Sequence, residues 1–189
     1  MTRAPKPVAP PAGGPARESA PAPATFAELM VTALWMELDA VERYRELADA
    51  METHNNRAVA ALFRKMTTIE ERHAQQIMQD MGWTTPPALP AGPLPWPGLE
   101  SPESPSHDQV HYLMQPLDAL KVALASEERA VRFFVALAHV ATVPAVKRAA
   151  RAMAEEEREH VALITAWMAK VPAADDHAPE DPDPPRYLD

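Results

Sequence analysis

The chain has 189 residues, a net charge of -9 and no cysteine. That length supports one domain with a real core but not two of ordinary size. The acidic balance argues against nucleic acid or anionic lipid as a partner, since both select a basic face. The missing cysteines remove disulfides, thiol catalysis, iron–sulfur clusters and thiolate zinc sites.

No stretch approaches the roughly 20 apolar residues needed to cross a membrane. Arg3 and Lys6 are followed by a Pro/Ala/Gly-rich run with no apolar segment of the kind a signal peptide carries. A cytoplasmic protein is therefore expected. Of the 22 prolines, 20 fall in residues 1–24, 82–108 and 171–189. The apolar, periodic sequence lies between those stretches. The expected organisation is a disordered arm over 1–24, one helical body over 25–170 with 82–108 as an internal linker, and a disordered acidic tail over 171–189.

The first element begins at Thr25-Phe26-Ala27-Glu28, a capping box with Thr25 as N-cap and Glu28 returning to it. Met30, Leu34, Glu37, Val41, Tyr44, Ala48 and Met51 then recur at steps of three and four. This is an amphipathic helix with one charged residue, Glu37, in its inner seam. Thr53-His54-Asn55-Asn56 reads as a tight connection, with Asn56 as the next cap. Helix 2 follows from about Arg57 to Met81, with Val59, Leu62/Phe63, Met66, Glu70, His73 and Ile77 inside and Gly82 as its stop.

Residues 82–108 hold eight prolines and two tryptophans. If helices 2 and 3 run parallel, the connection must travel the length of a helix, about 38 Å for 25 residues at ~1.5 Å each. A stretch of this length covers that easily at ~3.3 Å per residue. Helix 3 starts near Pro116, with 107–114 as a separate turn or kinked lead-in, and its seam is Leu120, Leu124, Glu127, Val131, Phe134 and Ala138. Pro144 suits the first turn of helix 4. That helix runs to about Lys170 on a seam of Val146, Ala150, Met153, Glu157, His160, Ile164 and Trp167. Short loop, long crossover, short loop is the connectivity of an up-down ferritin-like four-helix bundle, so the fold class is all-α.

The chemistry lies in a weak internal repeat. Glu37-x-x-Ala40-x-x-x-Tyr44 followed by Glu70-x-x-His73 matches Glu127-x-x-Ala130-x-x-x-Phe134 followed by Glu157-x-x-His160. Residues three apart share a helix face, so each Glu/His pair can approach one ion. Four carboxylates buried together are tolerable only if protonated or neutralised by cations, and two divalent ions balance them. Mixed oxygen and imidazole donors suit iron or manganese, with zinc as an alternative. A single Glu-x-x-His in an acidic helical chain is more often a surface accident than a ligand pair. Two in matched positions, with two further seam glutamates, reverse that balance. Glu71, Glu128 and Glu156 are adjacent alternatives, but Glu70, Glu127 and Glu157 keep the seam and the repeat. Tyr44, two turns after Glu37, is a candidate to hydrogen-bond a ligand carboxylate, though a core tyrosine fits as well. Phe134, its counterpart, can only pack.

At these residues the chain resembles the ferritin-like superfamily, most closely the di-iron domain of rubrerythrins, over roughly 25–170. The resemblance implies a di-iron centre that reacts with H2O2 or O2, with Glu37, Glu70, His73, Glu127, Glu157 and His160 as ligands. The chain departs from rubrerythrins twice. It has no four-cysteine rubredoxin module, so electrons must come from an external donor protein or from Fe(II) itself. It also has Ala130 where rubrerythrins carry an extra glutamate, which makes the site look more like a symmetric ferroxidase centre. The leading expectation is a di-iron redox enzyme, as a homodimer. Iron handling by a ferroxidase, and a metal-stabilised interaction or cargo module docked through the Pro-rich arms, are the alternatives.

Overall fold

The computed structural model describes residues 22–89, 93–96 and 100–171. Nearly all of the arm and tail expected at 1–24 and 171–189 lies outside the described residues. Helix α1 spans Phe26–Thr53, α2 Arg57–Asp80, α3 Pro116–Val140 and α4 Pro144–Met168, with a 3-10 turn at His107–Gln109. There is no strand among the described residues. The chain is a four-helix bundle.

The helix starts follow local chemistry. The Thr25 hydroxyl accepts the Glu28 amide at 3.1 Å. The return bond differs from the expected capping box: the Glu28 carboxylate takes the amide of Ala24, at 2.7 Å, rather than that of Thr25. Asn56 caps α2 by accepting the Val59 amide at 3.4 Å. Pro116 and Pro144 occupy the first turns of α3 and α4, where a missing amide hydrogen costs nothing. Helix α2 ends where Gly82 adopts a φ of +66°, and the Trp83 amide closes back onto the Met78 carbonyl at 2.9 Å. Helix α4 stops at Met168, slightly short of the expected Lys170.

Short turns join α1 to α2 and α3 to α4, so each pair packs as an antiparallel hairpin. The Asn56 side-chain amide also donates to the carbonyls of Tyr112 and Met114, at 2.9 and 2.8 Å. The first turn of α2 therefore lies beside the lead-in to α3, and these two helices start at the same end of the bundle. The chain leaving Gly82 must travel back along the body. The crossover doing so is fastened. Trp35 donates its indole N–H to the Pro87 carbonyl at 2.8 Å, and Trp96 is buried in the apolar core.

The core is split into two apolar layers. One holds Leu29, Leu34, Met36, Ile77, Phe134 and Val146; the other holds Tyr44, Phe63, Met66, Leu120 and Ile164. Each large side chain buried in them contributes on the order of 1.5–3 kcal/mol. Between Met36 of one layer and Ala40 of the other lies Glu37, which marks the polar level between the two layers.

Candidate metal centre

Each helix delivers its seam glutamate to that polar level. Glu37 on α1, Glu70 on α2, Glu127 on α3 and Glu157 on α4 are all buried, as is His160 one turn after Glu157. The adjacent glutamates point elsewhere. Glu71 pairs with Arg45 at 2.8 Å, Glu128 with Arg132 at 3.6 Å, and Glu156 is exposed. His73 departs from the expected burial: its side chain is 28% exposed, at the rim of the cluster.

The two halves are unequal. His160 Nδ1 lies 3.2 Å from Glu127 and 3.4 Å from Glu157. In the matching half, His73 Nδ1 lies 3.8 Å from Glu37. The two rings meet, Nε2 to Nε2, at 3.2 Å. Potential ligand atoms of Glu70, His73 and His160 all lie within 4.8 Å of one another, as do those of Glu127, Glu157 and His160. His160 belongs to both groups. The expected division into one histidine per ion is looser than the repeat implied.

Electrostatics follow from burial. Glu37 is held well above the usual carboxylate range by desolvation, then by repulsion from Glu70. Glu70 is raised by desolvation and by Glu127, with His160 opposing. Glu127 is raised to about 7, burial outweighing its bond to His160. Burial alone would depress His160, but its hydrogen bond to Glu127 and the nearby Glu157 carboxylate reverse that and carry it up to about 11. His73 moves down, through burial and the neighbouring His160. These opposite shifts favour His160 as the donor and His73 as the acceptor in the contact between the rings.

Tyr44 is fully buried, with its ring 6.0 Å from that of Phe63. Its hydroxyl makes no hydrogen bond among the described residues, although the nearby Ser126 hydroxyl acts to lower its pKa. Burial, then Glu127 and Glu70, hold the phenol well above its usual pKa, so it stays protonated. The bond from Tyr44 to a ligand carboxylate is not formed here.

Sequence reasoning missed one member of the cluster. Glu103, in the crossover, is fully buried, and its potential ligand atom lies within 4.8 Å of those of Glu37 and Glu157. It sits in Ser101-Pro102-Glu103-Ser104-Pro105-Ser106, a run with no helical period to reveal a facing direction. The only available signal was that it is the lone charge in that run.

These donors fit metal ions. Both carboxylate oxygens of Glu70, Glu103 and Glu157, and one each of Glu37 and Glu127, are buried without a hydrogen-bond partner. Orphaned buried carboxylates cost several kcal/mol each, and nearby cations would satisfy them.

An all-α bundle with a carboxylate–histidine cluster midway along four helices defines a ferritin-like domain with a candidate metal centre. The rubrerythrin family model matches residues 28–86 and 118–183, and the chain belongs to that family. Among solved structures, it is similar to an uncharacterized conserved protein of Magnetospirillum magnetotacticum MS-1. That similarity has 34% identity and a TM-score of 0.58, and spans 81% of this chain and 99% of the other. A hypothetical protein from Pyrococcus furiosus matches at 21% identity over 77% of this chain and 89% of its own, with a TM-score of 0.39. No curated protein matches the chain.

Proposed function

We propose that the chain holds a carboxylate-bridged pair of iron ions and reduces H2O2 or O2 with them. The observation that carries this reading is the set of buried, unpartnered carboxylate oxygens from all four helices, closed by two touching imidazoles. Glu37, Glu70, Glu127 and Glu157 supply oxygen donors, and His73 and His160 supply nitrogen. The centre, when loaded, supplies two electrons, one from each Fe(II), to an oxidant such as H2O2, which with two protons leaves as two waters.

The protein's share is positioning, exclusion and proton placement. The apolar layers above and below the cluster keep bulk water from the acidic core. His73, at the rim, marks the side from which a small oxidant enters. The Tyr44 phenol keeps its proton within electrostatic reach of Glu127 and Glu70.

The ferroxidase reading draws on a specific observation. Ala130 is fully buried in the apolar core, so α3 offers no further carboxylate. In that reading Fe(II) is both donor and substrate. Stopped-flow absorbance on the Fe(II)-loaded protein separates the two. Faster oxidation by H2O2 supports the peroxidase reading, and faster oxidation by O2 the ferroxidase reading. Loss of neither oxidation nor iron binding in Glu70→Ala and Glu157→Ala would reject the site.

A further inference from the structure

The crossover does more than connect α2 to α3. Residues 101–106 are tied to two helices at once. On α1, Asp39 accepts the Ser101 amide at 3.2 Å and the Ser104 hydroxyl at 2.5 Å. On α3, the Arg129 guanidinium donates to the Pro102 carbonyl at 3.0 Å and the Ser104 carbonyl at 2.9 Å. Those two carbonyls flank Glu103. Arg129 is also tied to Ser126, the neighbour of Glu127, at 3.0 Å.

The loop is therefore held in a fixed orientation, and the side chain it aims inward is a carboxylate. Glu103 is wholly buried, neither oxygen has a hydrogen-bond partner, and it converges with Glu37 and Glu157. Arg129 spends its donors on the loop backbone rather than on Glu103. A carboxylate so placed is unfavourable unless a cation shares its space.

We propose that Glu103 is a fifth carboxylate ligand of the metal pair, carried by the crossover, so that metal binding fastens the 101–106 loop to the bundle. This rests on the reading that the cluster holds two metal ions. It makes the centre asymmetric, because the repeat supplies no counterpart to Glu103. It also gives the loop a dependence on metal that Asp39 and Arg129 alone do not.

Metal-stripped full-length protein and its Glu103→Gln variant would be titrated with Co(II), following the visible spectrum, thermal melting and hydrogen exchange of the 101–106 amides. The expected result is that the metal-free variant melts no lower than wild type, since a partnerless buried carboxyl is replaced by a neutral isostere. Two Co(II) still bind, one of them roughly tenfold or more weakly. The metal-dependent exchange protection of the loop shrinks. Glu100→Gln, which removes a carboxylate on the outside of the same loop, should leave both affinities unchanged. Wild-type Co(II) affinities and undiminished loop protection in Glu103→Gln would overturn the proposal while leaving the two-metal reading intact. A metal-free variant destabilised as much as the loaded one would also overturn it, as the mark of a purely structural residue. Wild-type protein that binds no Co(II) would overturn both.

Discussion

His73 and His160 occupy equivalent places in the repeat, yet burial and partners drive them apart, one down and the other up to about 11. The carboxylates show the consequence for stability. Burial and mutual repulsion hold the folded pKa of Glu37, Glu70, Glu103 and Glu127 above the ordinary carboxylate value of 4.5. Their contribution to metal-free stability is full below that value and is lost as pH rises through the folded pKa. His160 acts in the same sense, its contribution declining from 6.5 upward toward 11. His73, depressed from 6.5, opposes them only below that pH. Metal-free protein should therefore melt at lower temperature at pH 8 than at pH 6, and Glu70→Gln should flatten that slope. A melting temperature that rose across this window would contradict the electrostatic account. Metal affinity should run the other way, rising with pH as bound protons are displaced. Proton release measured by calorimetry in two buffers checks it. The seam glutamates were legible in sequence because helical register fixes a facing direction. Glu103 was not, because a Pro/Ser loop has no period, and only the bonds from Asp39 and Arg129 aim it.

At the level of elements, the helices were legible from caps, prolines and Gly82, whereas the ties between distant segments were not. Asn56 is the clearest case. Its role as cap follows from local sequence, but its bonds to the Tyr112 and Met114 carbonyls set the lead-in to α3 and have no local signature. Asn56→Ala loses the cap and leaves two carbonyls without that donor, at a cost of roughly 1–3 kcal/mol. Denaturant unfolding should show it as a lower midpoint with unchanged metal stoichiometry. Gly82→Ala is milder. Nothing lies within 4 Å of an added Cβ, so only the left-handed backbone at φ +66° resists, at ~1 kcal/mol. The crossover was read as a linker, but Trp96 in the core and Trp35 on Pro87 make it part of the body.

For the molecule as a whole, the two apolar layers and the acidic level between them set a tension that bound metal would resolve. Metal that binds only the folded state should stabilise it by about 4 kcal/mol at a thousandfold excess over Kd, so chelation should lower the melting temperature. No described helix is long and apolar enough to cross a membrane. The central claim is that the cluster is a two-metal centre of the protein's own. Metal content of protein purified anaerobically, followed by the optical spectrum as H2O2 or O2 is added, tests it most directly. About two iron per chain are expected, since two divalent ions balance four buried carboxylates, together with a ferric absorption band that appears on oxidation. Little or no metal, with Glu70→Ala and Glu157→Ala as stable and as metal-poor as the parent, would contradict it.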